Sequence, residues 1–214
     1  MYIKHHMTVD PVTISEDMLL PDARNLLNEC HFQHLPVVDG EGLLVGMITD
    51  RDLRSAWPSS VLSKAERQMV YERVKQTAVV EIMSTEIVSL SVNSTLDDAL
   101  LFFDRERVGA MPVVEDGRVV GIFSNRDLLA AYKRIFGVGE KGSILVVVED
   151  DGQPDLLSKI ALLLEEEGIT LTRLLKVNDP DQGSNIFLRI HTFKLAKVCA
   201  MLEANGFRIC RPGS

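Results

Sequence analysis

The stretch GMITDRDL, residues 46–53, sets the reading of this chain, because residues 121–128 say nearly the same thing: GIFSNRDL. Each octet is a short apolar run behind a glycine. Each passes through a hydroxyl residue, Thr49 or Ser124, and closes on Arg-Asp-Leu. The echo continues upstream. MTVDPVTIS (7–15) answers MSTEIVSLS (83–91), and LPVVD (35–39) answers MPVVE (111–115). The second copy runs 76 residues behind at Met7 and Met83 and 75 behind at Gly46 and Gly121, so one residue is lost where DGEG faces EDG. In a repeat, each copy is a unit that needs a neighbour to cover its apolar face.

Each copy predicts strand, helix, strand, strand, helix. VTI and VSL are short strand-like starts. Ala23, Leu26, Leu27 and Cys30 recur at helical spacing, as do Leu96, Ala99, Leu100 and Phe103, which marks one apolar helix face per copy. Cys30 is expected to pack on that face. DGEG and EDG sit between apolar runs, as hairpin turns do.

The spacing Thr49-x-x-Asp52 and Ser124-x-x-Asp127 reads first as a helix cap, hydroxyl and carboxylate each satisfying a free backbone N–H. A ligand can share the same place. A strand ending at a helix start offers free N–H groups and a positive dipole end. The hydroxyl can bond a phosphate oxygen, the carboxylate can accept from both hydroxyls of a ribose, and Arg51 and Arg126 can add charge-assisted bonds. The set suits a nucleotide, and cap and binding site are compatible.

The doubled glycine–hydroxyl–aspartate motif, each copy preceded by Leu-Pro-Val-Val or Met-Pro-Val-Val, resembles tandem CBS domains, a Bateman module, over about residues 1–136. The resemblance implies two units packed sheet to sheet about a pseudo-twofold axis, with two clefts that in many members hold adenosine compounds. It makes Asp52 and Asp127 ribose acceptors, and Thr49 and Ser124 phosphate-side hydroxyls. Two residues before the proline the copies differ, His34 against Ala110, at a position where a basic side chain often faces phosphate in the family; the clefts are therefore expected to be unequal. The alternative for His34 is a hydrogen-bonded structural histidine.

The expected organisation is a first CBS unit at 1–60, a linker helix at 61–78, a second CBS unit at 79–136, a glycine linker at 137–142 and a tail at 143–214. The tail reads β-α-β-β-α-β, the ferredoxin-like order. ILVVV, LTRLLKV, NIFLRIH and FRIC are its strands, with a turn at NDPDQGS. Leu156, Ile160, Leu163 and Leu164 line its first helix; Leu195, Val198, Cys199 and Leu202 line its second. Cys199 and Cys210 are expected in the core or sheet. The tail resembles an ACT domain. That family carries Asp-x-Pro-Gly after the first strand; here the run is Asp151-Gly152-Gln153-Pro154-Asp155, with aspartate in the glycine's place. The resemblance implies a dimerising module, while Asp155 argues against an amino-acid carboxylate there. Taken whole, the α+β architecture resembles AcuB-type acetoin-utilisation proteins.

The net charge of −8 disfavours a non-specific nucleic-acid binder, which needs a basic face. Charged residues break every apolar run short of a membrane span, and MYIKHHMTVD lacks a signal peptide's apolar core. A soluble cytoplasmic protein is expected. Three cysteines without C-x-x-C spacing predict neither a disulfide framework nor zinc, and adjacent His5 and His6 suit one metal poorly. No nucleophile–base set is legible. The expected function is a regulatory sensor of AMP, ADP, ATP or a related adenosyl compound, acting as a homodimer on another protein, with no required cofactor. The alternative is a ligand-free dimerisation module.

Overall fold

The computed structural model describes residues 1–180 and 183–210, and separates into two units, Met1–Leu129 and Ala130–Ser214. Among the described residues no helix is long and apolar enough to cross a membrane.

In the first unit, copy one supplies β2 (Ile14–Ser15), α1 (Leu20–Cys30), β3 (His34–Val38), β4 (Leu44–Thr49) and α2 (Asp50–Ala56). After a connecting helix α3 (Lys64–Val74), copy two supplies β5 (Leu90–Ser91), α4 (Leu96–Glu106), β6 (Ala110–Glu115), β7 (Arg118–Ser124) and α5 (Asn125–Ile135), whose last turns belong to the second unit. The strand β1 (Thr8–Val9) precedes copy one.

The sheets are β2-β3-β4 and β1-β7-β6-β5. Both hairpins carry a register irregularity at the matching valines, Val37/Val38 and Val113/Val114. Their turns differ by the missing residue. In the longer, the Asp39 carboxylate accepts from the N–H groups of Glu41 and Leu43, both at 2.9 Å. In the shorter, Asp116 and Gly117 both take positive φ, 49° and 78°, the geometry that lets a two-residue turn match the twist of its strands.

The leaders of the two copies are exchanged. β1 pairs with β7, Thr8 opposite Ile122, and Ile3 N–H donates to Ser94 O at 3.0 Å. Reciprocally, Ser84 pairs with Met47, and Val79 N–H donates to Met18 O at 2.8 Å. Ile3 and Val79, equivalent residues on short 3-10 turns, are both fully buried. The exchange explains the glycine of the repeated octet. A Cβ on Gly121 would stand 2.5 Å from Met7 Sδ, and one on Gly46 would run into the sulfur of Met83. Each leader methionine lies on the bare backbone of the other copy.

Around the first sheet, Leu20, Ala23, Leu27, Leu35, Val37, Ile48 and Leu53 form a core joined by Val74 of α3 and Val79. Val74 is the buried residue of α3, and Met69 on the same helix is largely exposed. Two expectations fail on the helix faces. Cys30 is exposed because α1 ends there: His31 turns into the left-handed region at φ 55° and leads the chain away. Leu100 is also exposed, since the buried stripe of α4 is the narrower set Leu96, Ala99 and Phe103.

The second unit contains β8 (Ser143–Glu149), α6 (Leu156–Glu166), β9 (Thr170–Asp179), β10 (Gly183–His191) and α7 (Leu195–Ala204), in an antiparallel sheet of order β8-β10-β9. Val146, Val148, Ile186, Leu188 and Ile190 pack with Ile160, Leu164, Val198 and Leu202 of the helices. The expected closing strand is a single bridge, Ile209 to Val148, with Cys210 N–H donating to Val147 O at 2.9 Å. On this edge Cys210 is exposed; Cys199 is half-buried, and Leu195, at the start of α7, is exposed. Part of the NDPDQGS turn, Asp181 and Gln182, lies outside the described residues. Asp155 takes φ 68°, so the aspartate keeps the left-handed backbone for which glycine is the default residue.

Two polar clusters tie this unit together. Arg173 donates to Ile135 O at 2.8 Å and to both Glu140 oxygens at 2.7 Å. Its guanidinium lies against Gly137, where a Cβ would collide with it. The Asp150 carboxyl is held down at about 2 by the Lys176 ammonium, 2.5 Å away, then by the Ser184 hydroxyl and the Gly152 N–H.

Candidate functional site

The two corners where β4 meets α2 and β7 meets α5 have the same internal chemistry. At the first, Thr49 N–H and Thr49 Oγ1 donate to Asp52 Oδ2 at 2.8 and 2.6 Å, while Asp52 N–H donates to Thr49 Oγ1 at 3.2 Å. At the second, Ser124 and Asp127 repeat these three bonds at 2.8, 2.6 and 3.2 Å. Both acids therefore cap their helices through one oxygen, Oδ2. A third box, Thr95 with Asp98 at the start of α4, has the same form. The cap reading holds at all three, so the cap alone does not mark a site.

Surroundings separate them. Thr49, Arg51 and Asp52 line a cleft of about 850 Å³ between the two copies, together with His34 and Ala110. That volume is in the range of small-molecule sites, roughly 300–1,000 Å³. Thr95, Ser124, Arg126 and Asp127 do not line this cleft. Ser84, Glu86, Ile87 and Val88 of one leader form a wall of the cleft beside the first corner, and the equivalent leader flanks the strand of the second corner through β1.

The walls come from both copies. His34 sits at the start of β3, opposite Thr49 in β4. Across the cleft stand Arg107, Val108, Gly109 and Ala110. Asn125 pins that segment, its N–H donating to Gly109 O at 3.0 Å and its Nδ2 to Val108 O at 3.1 Å. A Cβ on Gly109 would lie 2.8 Å from Cε1 and Nε2 of His34, so the imidazole rests against the second copy's backbone. Burial lowers the His34 pKa, and the nearby Asp52 carboxylate partly opposes this by favouring the imidazolium.

The charges of the cleft nearly balance. Arg54 pairs with Asp50 one turn along α2. That leaves Arg51 and Arg107 as cationic groups, with Asp52 and Glu86 as acids. The seven-residue α2 contributes little dipole at this corner. Among the described residues there is no group of three or more His, Cys, Asp or Glu able to hold a metal ion.

Of the residues singled out in the sequence, the structure thus gathers His34, Thr49, Arg51, Asp52 and Ala110, and leaves Ser124, Arg126 and Asp127 outside this cleft. Arg107, Gly109, Asn125 and Glu86 were not legible as site residues. One signal was available for Arg107: the repeat aligns it with His31 as a polar residue just past the apolar helix run, and in the structure both close their helices in the left-handed region, at φ 54° and 55°.

The CBS domain model matches residues 3–59 and 79–134. The CBS domain-containing protein YhcV of Bacillus subtilis is 33% identical over 126 residues, 59% of this chain and 81% of YhcV. Among solved structures, one assigned as the acetoin utilization protein AcuB of Vibrio cholerae superposes with a TM-score of 0.54 at 24% identity, covering 66% of this chain and 96% of that one. CBSX2 of Arabidopsis thaliana, solved in complex with AMP, gives 0.53 at 24% identity, covering 63% of this chain and 97% of that one. The matched fold is the CBS pair in both, and with the family model covering more than half of the residues, this chain belongs to the CBS domain family as a tandem pair.

Proposed function

We propose that the chain is a regulatory ligand sensor that binds an adenine nucleotide in the cleft at Thr49 and Asp52. The observation that carries this reading is the placement of one of two identical caps in a cleft of nucleotide size, opposite Arg107 and beside Arg51 and His34. Asp52 spends Oδ2 on the cap, and Oδ1 is the oxygen it offers to ribose hydroxyls. Thr49, Arg51 and Arg107 suit the phosphate. The CBSX2 pair in complex with AMP supports an adenosine ligand. The role is one of binding rather than catalysis.

A nucleotide acts as a signal only through a difference in affinity between two states of the protein. We place the readout in an ACT-type tail and a cytoplasmic homodimer that addresses another protein. The β-α-β-β-α order and the left-handed Asp155 support the tail assignment. The AcuB likeness extends over the CBS pair and makes acetoin or central carbon metabolism the first pathway to examine.

Calorimetry and thermal shift with AMP, ADP, ATP and S-adenosylmethionine test the reading. One molecule bound per chain is expected, with saturable heat and a raised melting temperature. No heat and no shift with any of them would sink it. The complete caps at Asp52 and Asp127 favour a second reading in that event: a ligand-free dimerisation module, whose melting temperature ignores nucleotides while light scattering shows a stable dimer.

A further inference from the structure

We propose that Gly109 is a positioning residue of this cleft, which by lacking a side chain seats the His34 imidazole against the second copy and keeps the space before Thr49 and Asp52 open. The binding part of this proposal rests on the adenine-nucleotide reading; the seating of His34 does not.

Two fixed backbones meet here through one movable ring. Gly109 is held by Asn125, and His34 is held in β3 opposite Thr49. A methyl group at position 109 would stand 2.8 Å from both Cε1 and Nε2 of His34, nearer than carbon tolerates. The backbone at 109 is not in the left-handed region, so alanine fits the chain itself. What yields is the imidazole, which must turn off the wall and into the cleft. The opposite combination of sizes fills the equivalent positions, Gln33 for Gly109 and Ala110 for His34, so the seat exists once in the pair. Gly109 therefore makes the two halves of a near-symmetric module unequal in the place where a ligand enters.

The charged groups that line the cleft with the ring are Asp50, Arg51, Asp52 and Arg54 from α2, Glu86 ahead of β5 and Arg107 ahead of β6. Moving it off its seat exposes it to water and relieves the burial that disfavours its charged form.

The test uses the full chain, its Gly109→Ala, His34→Ala and double variants, with AMP calorimetry and NMR titration of the His34 ring. Gly109→Ala is expected to weaken AMP binding about tenfold or more, a change of about 1.4 kcal/mol. In the His34→Ala background the same change is expected to stay within about twofold, because the group that would be pushed is gone. The His34 titration midpoint is expected to rise in Gly109→Ala. Equal weakening with and without His34 would show that Gly109 acts through something else and overturns the proposal. Should the wild type bind no adenosine compound, the nucleotide reading falls by itself and the titration decides: an unmoved His34 midpoint overturns the seat, and a raised one supports it.

Discussion

The Thr49–Asp52 and Ser124–Asp127 caps match bond for bond, and the corners differ at the residue after the hydroxyl, Asp50 against Asn125, and in what surrounds them. The first corner borders a cleft completed by residues 84–88 and by the Arg107–Ala110 segment. The second does not border it, although its strand is flanked by β1 as that of the first is by Ser84. A motif with a fixed local structure thus meets different surroundings in each copy, because matched positions carry different side chains, His34 against Ala110 and Gln33 against Gly109. The lesson is that cap chemistry supplies the groups and tertiary placement supplies the site.

The comparison breaks first at the leaders. Ile3→Ala is expected to cost about 2–5 kcal/mol in urea unfolding, since a fully buried isoleucine is lost. Val79→Ala, its equivalent in the other copy, is expected to cost less because fewer atoms are removed. A silent Ile3→Ala would mean that the exchange does not hold the pair together.

The sharpest contrast is in binding. Asp52→Ala is expected to weaken AMP by about 1–3 kcal/mol, the scale of lost hydrogen bonds to a charged group. Asp127→Ala leaves AMP affinity within about 0.5 kcal/mol while still removing a cap. Calorimetry on both settles it, and equal losses would show that the corners are functionally alike.

The hydroxyls separate cap from site. Thr49→Ala and Ser124→Ala are each expected to cost about 0.5–2 kcal/mol of stability as caps. Among Thr49, Ser124 and the Thr95 control, only Thr49→Ala is expected to reduce AMP affinity, measured alongside the melting curves.

The smallest effect is on acid stability. Burial depresses the His34 pKa below its ordinary 6.5. The unfolded chain therefore takes up a proton first as pH falls, so this contribution to stability is complete above about pH 6.5 and declines as pH drops through that value toward the folded pKa. Copy two has Ala110 here and no such contribution. His34→Ala is expected to flatten the slope of stability against pH just below 6.5, and an unchanged slope would mean the ring is not buried in solution.

Much of this was legible in residues. The repeat, the hairpins and both caps follow from local rules, because a hydroxyl three positions before a carboxylate meets its partners within one helical turn. The helix faces were legible except at their margins: Cys30 sits where α1 stops, Leu100 flanks the stripe, and Leu195 opens α7 exposed. His34 could be marked as a difference between copies, but Gly109 could not, since its role depends on a ring 75 positions away in the chain.

The sequence by itself determined that two similar units would form, each ending a hairpin in a capped helix, with a separate β-α-β-β-α tail, since hydrophobic period, turn residues and caps act over a few residues. Only the tertiary structure decided which capped corner borders the cleft lined by His34 and Arg107, which groups of the other copy face it, and why the motif needs its glycine. Those outcomes depend on contacts between segments about 75 residues apart, where packing rather than local preference selects the partner.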